Sequence, residues 1–181
     1  MINIIKTIKR LWRTCIACLL LLAFILSLPF SALSQETGRQ YKVEAAFLFN
    51  FFNYFTWPGY DSPEALVNPT LCVDREDPVE PYLRYIQQHT KGARNLTIRK
   101  MKDGESPSRC NLLFTRQPLH NKWDIPDETL IVLESDEDLE REGMIKLEQQ
   151  EDHMVMVIHN TWMKDKGFKV SSRLLDLAEV R

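Results

Sequence analysis

Cys110-Asn111-Leu112-Leu113-Phe114-Thr115, followed after a proline-bearing loop by Thr129-Leu130-Ile131-Val132-Leu133, gives two apolar runs of strand length in the middle of the chain. The loop between them, Pro118 to Pro126, carries Trp123. Upstream, Thr70-Leu71-Cys72-Val73 is a shorter candidate strand that ends in the acidic turn Asp74 to Pro78. Pro81 with Tyr82, Leu83, Tyr85 and Ile86 then predicts a helix reaching about His89. From Asn95 to Met101, Leu96, Ile98 and Met101 alternate with Thr97, Arg99 and Lys100 as in a half-buried strand.

Downstream, Met144-Ile145-Lys146-Leu147 and His153 to His159, separated by the polar Glu148 to Asp152, read as an antiparallel hairpin. Asn160 is placed to cap a short helix that leaves through Gly167. Ser171 or Ser172 is placed to cap a last helix bearing Leu174, Leu175, Leu177 and Ala178. At the other end, Val43, Phe47, Phe51, Tyr54 and Phe55 form one stripe of a helix over Tyr41 to Thr56, stopped by Trp57-Pro58-Gly59. Leu48 and Phe52 widen the stripe, and Phe49 falls among the opposite residues, which points to a helix packed on more than one side. Helices and strands interspersed, with both crossover-length and hairpin-length links, predict a single α/β domain with a mixed sheet covered by helices.

The N-terminal segment has a different composition. Lys6, Lys9, Arg10 and Arg13 precede an uncharged run from Thr14 to Leu28, Pro29 breaks it, and Ala32-Leu33-Ser34 supplies small residues for cleavage before Gln35. That is the pattern of a secretory signal peptide over residues 1–34, with residues 35–181 as the exported domain. The uncharged run falls short of the about 20 residues a membrane span needs, so an uncleaved anchor is the weaker alternative. Cys15 and Cys18 open the apolar run, where a lipid-attachment cysteine would follow it. Removing the four basic residues and no acid takes the formal charge from −2 to −6. A mildly acidic domain is not built to grip nucleic acid through its phosphates.

Export also leaves two of the four cysteines, Cys72 and Cys110. An isolated pair in an oxidising space generally bonds, the alternative being two buried free thiols. Closing residues 72–110 is worth about 4 kcal/mol in the chain-entropy model. Neither sulfur has a CxxC or a histidine pair nearby to complete a metal site.

The best metal candidate elsewhere, His153-Met154-Val155-Met156-Val157-Ile158-His159, fails on strand geometry. Its histidines would stand about 20 Å apart, and the methionines would point to the other face. The acidic set Glu134, Asp136, Glu137, Asp138, Glu140 and Glu142 lacks the spacing and glycine of a calcium loop and reads as a solvated connection. No GxSxG, phosphate-cradling loop or zinc-protease helix occurs, and Ser171-Ser172 reads as a cap and not as a nucleophile. These readings favour a binding protein that uses no cofactor over an enzyme, with a hydrolase of dispersed site as the least favoured class.

Glu44-Ala45-Ala46-Phe47-Leu48-Phe49-Asn50-Phe51 with Thr56-Trp57-Pro58, Leu71-Cys72-Val73, Cys110 to Phe114, Glu142-Gly143-Met144-Ile145, and Gly167-Phe168-Lys169-Val170-Ser171-Ser172-Arg173-Leu174-Leu175-Asp176-Leu177-Ala178 occur in this order. Together they resemble the YfiR family of periplasmic proteins from about Val43 to Val180. The resemblance implies an α/β fold, a tendency to homodimerise, and a disulfide between Cys72 and Cys110. It also implies a repressor of the periplasmic sensor domain of an inner-membrane diguanylate cyclase, lowering cyclic-di-GMP and biofilm formation, with an outer-membrane lipoprotein able to sequester it. The chain departs from the family pattern at Asp74-Arg75, at the single Gly143 before Met144, and at His159. It also has no further cysteines for the second disulfide of some members.

A repressor of this kind needs a surface. The expected partner-binding residues are the apolar Trp162, Phe168 and Val170 of the C-terminal third, together with Phe49 and Trp57, with core packing as the competing role for each. The alternative function is a periplasmic small-molecule sensor acting on another membrane receptor, such as a histidine kinase.

Overall fold

The computed structural model describes residues 32–90, 95–102, 104–117, 119, 124–134, 143–150 and 153–181, with side chains from residue 38. Helix α1 (Ala32–Tyr54) runs into strand β1 (Phe55–Thr56). After a 3-10 turn at Pro63–Ala65 come β2 (Thr70–Val73), α2 (Glu80–His89), β3 (Thr97–Lys100), β4 (Leu112–Thr115) and β5 (Leu130–Leu133). The chain continues through β6 (Ile145–Gln150), β7 (His153–Ile158), α3 (Asn160–Asp165), β8 (Lys169–Val170), α4 (Ser172–Leu175) and β9 (Glu179–Val180).

The main sheet has the order β3-β2-β4-β5-β6-β7-β9. From β3 to β6 all neighbours are parallel; β7 is antiparallel to β6, and β9 is parallel to β7. This is the mixed α/β sheet the sequence predicts. Strands β4 and β5 are buried at every position, which is why they read as continuous apolar runs and not as alternating ones. Alternate residues serve two cores. Leu71, Val73, Leu112, Phe114, Leu130 and Val132 face a large cluster that also takes Leu48, Phe51 and Phe52 of α1, Leu83 of α2, Met163 of α3 and Leu174 of α4. Cys72, Leu113, Met101 and Cys110 form a smaller cluster, with Leu119 and Ile125 packed against it. The Cys72–Cys110 disulfide lies there, its Cα atoms 5.7 Å apart.

Three local expectations change. First, α1 ends at Tyr54, because Phe55 and Thr56 leave the helix to pair with Val170 and Lys169. Its buried face is Glu44, Ala45, Leu48, Phe49, Phe51 and Phe52, while Val43 is 39% exposed and Phe47 and Tyr54 are half-buried. The apolar stripe is therefore rotated toward Glu44, which the aromatic residues distributed around the helix conceal. Second, His159, and not Asn160, occupies the N-cap position of α3, and the Asn160 N–H bonds the Arg181 carbonyl at 3.1 Å. Third, the last helix stops at Leu175. Glu179–Val180 adds to the edge of β7, where the Arg181 N–H donates to the Ile158 carbonyl at 3.0 Å, and this pairing replaces a further turn of helix. The exit of α3 at Gly167 follows expectation: its φ of 81° is the left-handed conformation a glycine adopts without a Cβ penalty.

The uncharged run Thr14–Leu28 behind the signal-peptide reading lies outside the described residues, and the expected cut before Gln35 falls within the first turn of α1. Among the described residues no helix is long and apolar enough to cross a membrane.

Candidate functional site

Strand order reverses between β2 and β4: from β2 the chain crosses outward to β3, then returns to the other side of β2. At such a point the carboxyl ends of parallel strands diverge and leave a crevice. A cavity of about 490 Å³ sits there, lined by Asp74 to Pro78 after β2, Met101, Lys102 and Gly104 after β3, and Arg116 and Gln117 after β4.

Arg116 organises the floor. Its Nε donates to Asp77 Oδ2 at 2.9 Å, and its two terminal nitrogens donate to Glu134 and to Glu44. Its guanidinium lies over the rings of Phe114 and Tyr41, 4.9 and 5.4 Å from their centroids. Asp74 Oδ2 accepts from the Thr115 hydroxyl at 2.9 Å and from the Arg116 N–H at 3.2 Å, closing the turn after β4. Asp77 Oδ1 also accepts from the Val79 N–H at 2.8 Å, at the entrance of α2. One cation thus joins α1 to the ends of β2, β4 and β5.

The charges do not balance: three carboxylates share one guanidinium. Glu44 is fully buried, with Oε2 on Arg116 and Oε1 without a partner. Burial pushes its carboxyl up to about 7, Arg116 opposes this, and the charges of Glu134 and Asp77 add to it. Burial raises Asp77 as well, against the Val79 N–H and Arg116. For Arg116, burial works against the charge, and the hydrogen bond to Glu134 with the charges of Glu44 and Asp77 outweighs it, so its pKa is raised.

A second concavity, of about 580 Å³, is apolar and lies between α1 and α4. Val43, Phe47, Phe51 and Tyr54 form one wall, and Leu174 and Leu177 the other. Leu177 is 77% exposed. Lys42 and Arg173, both exposed, line the groove as its cationic groups. A contiguous apolar groove edged by charge is a candidate surface for another molecule, which scattered single apolar residues are not.

The residues expected to bind a partner do not form this surface. Phe49, Trp57 and Phe168 are core residues, 8%, 1% and 3% exposed. Trp57 stacks on Phe52 with centroids 5.1 Å apart and meets Phe168 edge-on at 5.9 Å, so these aromatics fasten the end of α1 to the turn before β8. Trp162 is half-buried and edge-on to His159, and Val170 is half-buried opposite Phe55 in β8. The two histidines of 153–159 stand at opposite ends of β7, and no group of metal-ligating side chains occurs among the described residues.

Sequence reasoning missed Arg116, Asp77 and the role of Glu44, and it placed Glu134 in a solvated connection. The available signal was an acid at 44 in line with Leu48 and Phe51 on the helix, a buried carboxylate that required a cation. The other acids of that connection, Asp136 to Glu142, lie outside the described residues.

The fold defines an α/β domain with a mixed sheet, one concavity at the carboxyl ends of its parallel strands and another between α1 and α4. The chain belongs to the YfiR/HmsC-like family, whose model matches residues 41–179. Comparison with curated proteins returned no significant match.

Proposed function

We propose that this protein is a periplasmic regulator that binds and represses the sensor domain of an inner-membrane diguanylate cyclase, lowering cyclic-di-GMP and biofilm formation. The observation that carries this reading is membership of the YfiR/HmsC-like family across nearly the whole exported domain. The signal-peptide pattern of residues 1–34 supports the address, and the α1/α4 groove supplies a surface. Repression by population shift requires binding the inactive sensor better than the active one, by about 2.7 kcal/mol for a hundredfold change. Covering the exposed Leu177 against a partner is worth up to about 1.5–3 kcal/mol, which supplies that difference where the contact forms with the inactive sensor alone. Lys42 and Arg173 favour an apolar segment with acidic flanks.

Deleting the gene and measuring cyclic-di-GMP, with co-purification of solubilised membrane proteins on the tagged chain, tests the reading. A rise in the nucleotide and a cyclase in the eluate support it; neither result means the regulator acts elsewhere. Light scattering on the purified domain tests the homodimer that the family implies, and a tagged outer-membrane fraction tests a sequestering lipoprotein. The cavity at the carboxyl ends of β2, β3 and β4 favours a second reading, a small-molecule sensor acting on another receptor such as a histidine kinase. Recovery of a kinase in place of a cyclase would decide for it.

A further inference from the structure

The cluster around Arg116 has more negative groups than its one cation can neutralise. Arg116 faces Glu44 from α1, Asp77 from the loop before α2, and Glu134 after β5, so with all three acids ionised the group carries a net charge of −2. Asp74 adds a fourth carboxylate, on the Arg116 backbone N–H. The Tyr41 ring covers the guanidinium from the same helix as Glu44. Glu80 of α2 is engaged separately, with Arg84 and Lys100. Of the three carboxylates on the guanidinium, Glu44 is the one fully sealed from water and the one with an oxygen left without any partner. A buried, half-compensated carboxylate is costly, and a proton is the simplest way to remove the cost.

We propose that Glu44 is a proton sensor built into α1: it carries a proton at Oε1 in acid surroundings, and loss of that proton to solvent loosens α1 from the ends of β2, β4 and β5. The adjoining face of the same helix, with Val43 and Phe47, lines the groove, so the pH outside the inner membrane reaches the docking surface through this residue. The direction follows from the charge count. Ionising Glu44 adds negative charge to a group already short of cations, so the helix is held best when Glu44 is neutral. The position of its carboxyl pKa, raised to about 7 mainly by burial, agrees with this count. The sensor goes beyond the repressor reading and is tested on the chain alone.

The experiment follows the side-chain carboxyl carbon of Glu44 by NMR in the 13C-labelled exported domain between pH 5 and 8, assigned through its own backbone. Hydrogen exchange of the α1 amides is measured in the same samples. The expected result is a midpoint above about pH 6, with α1 protection, corrected for intrinsic exchange, falling about tenfold or more as Glu44 ionises, the equivalent of one pKa unit. Glu44→Gln should hold α1 at the acid-state protection throughout. A midpoint at or below about pH 6, or a change in protection of less than about tenfold in the wild-type chain, overturns the proposal whether or not the variant folds.

Discussion

The indole Nε1 of Trp57 donates to the carbonyl oxygen of Asn111 at 3.0 Å, joining the turn after α1 to the residue that opens β4. Asn111 is itself a clamp: its side-chain oxygen accepts from the Thr70 N–H at 2.8 Å, and its own N–H donates to the Thr70 carbonyl at 2.9 Å. The start of β2, the start of β4 and the end of α1 therefore meet at one point. Trp57→Phe keeps the stacking on Phe52 and loses the hydrogen bond, while the Asn111 carbonyl retains the Leu130 N–H at 2.8 Å. The expected cost is about 1 kcal/mol. Trp57→Ala opens a cavity between Phe52 and Phe168 and should cost about 3–5 kcal/mol. Urea unfolding of residues 35–181 measures both, and equal costs would show that the ring packs nothing of consequence.

The disulfide joins β2 to the residue two positions before β4, inside the smaller core. It constrains a long loop of the unfolded chain, so the paired change Cys72→Ser and Cys110→Ser should lower stability by about 2–4 kcal/mol. Part of that loss comes from placing hydroxyls beside Met101 and Leu113. The α1/α4 groove belongs to the larger cluster, so partner binding by the folded fraction should be unchanged. Denaturation with and without reductant gives the first quantity, and binding at a temperature where the variant is folded gives the second.

The core of the sheet was legible because Leu112–Thr115 and Leu130–Leu133 are buried on both faces and therefore apolar throughout, and because β6 and β7 are long enough to show as a hairpin. The two-residue strands β8 and β9 carry no period of their own. Lys169–Val170 is a strand only because Phe55–Thr56 lies beside it, and Glu179–Val180 only because β7 has a free edge. The charged cluster was hidden for a related reason. Its members come from residues 44, 77, 116 and 134, and only the crossing of β2 and β4 brings them to one guanidinium. For Trp57 and Phe168, expected at a partner surface with core packing as the competing role, the structure shows side chains only 1% and 3% exposed at the end of α1.

Arg116→Ala should be among the most damaging single changes outside the apolar core. It leaves Glu44 and Asp77 buried with no cation and costs about 3 kcal/mol at neutral pH. The loss should be smaller at pH 5.5 than at pH 8, because Glu44 already carries a proton at the lower pH and only its ionised form misses the guanidinium. A cost independent of pH would mean that the guanidinium contributes through its contacts with Tyr41 and Phe114, and not through charge.

Global stability should itself depend on pH with a definite sign. Glu44 has a folded pKa of about 7 against 4.5 unfolded, so it holds more proton in the folded chain between those values, and Asp77 is raised from 3.8 in the same direction. The contribution of Glu44 is full below about 4.5 and is lost as pH rises through about 7, on the order of a few kcal/mol. Glu80 is shifted the other way: burial works against its charge, but Arg84 and Lys100 outweigh it, so its contribution is lost only on acidification. Unfolding midpoints should therefore fall from pH 5.5 to pH 8, and Glu44→Gln should flatten most of that slope. A rising slope over this range would contradict the buried-carboxylate account.

Leu177→Asp separates surface from core. The side chain is 77% exposed at the mouth of the α1/α4 groove, so the change should alter stability by less than about 0.5 kcal/mol. It places a negative charge where an acidic-flanked apolar partner would dock, near Arg173, and should weaken association by about tenfold or more through lost burial and repulsion. Phe49→Asp is the control, because Phe49 is 8% exposed and its replacement should unfold the domain without informing on the groove. The readout is cyclic-di-GMP in cells carrying each variant, beside the amount of folded protein. Leu177→Asp at wild-type abundance should raise the nucleotide, whereas full repression by this variant would move the docking surface away from α1 and α4.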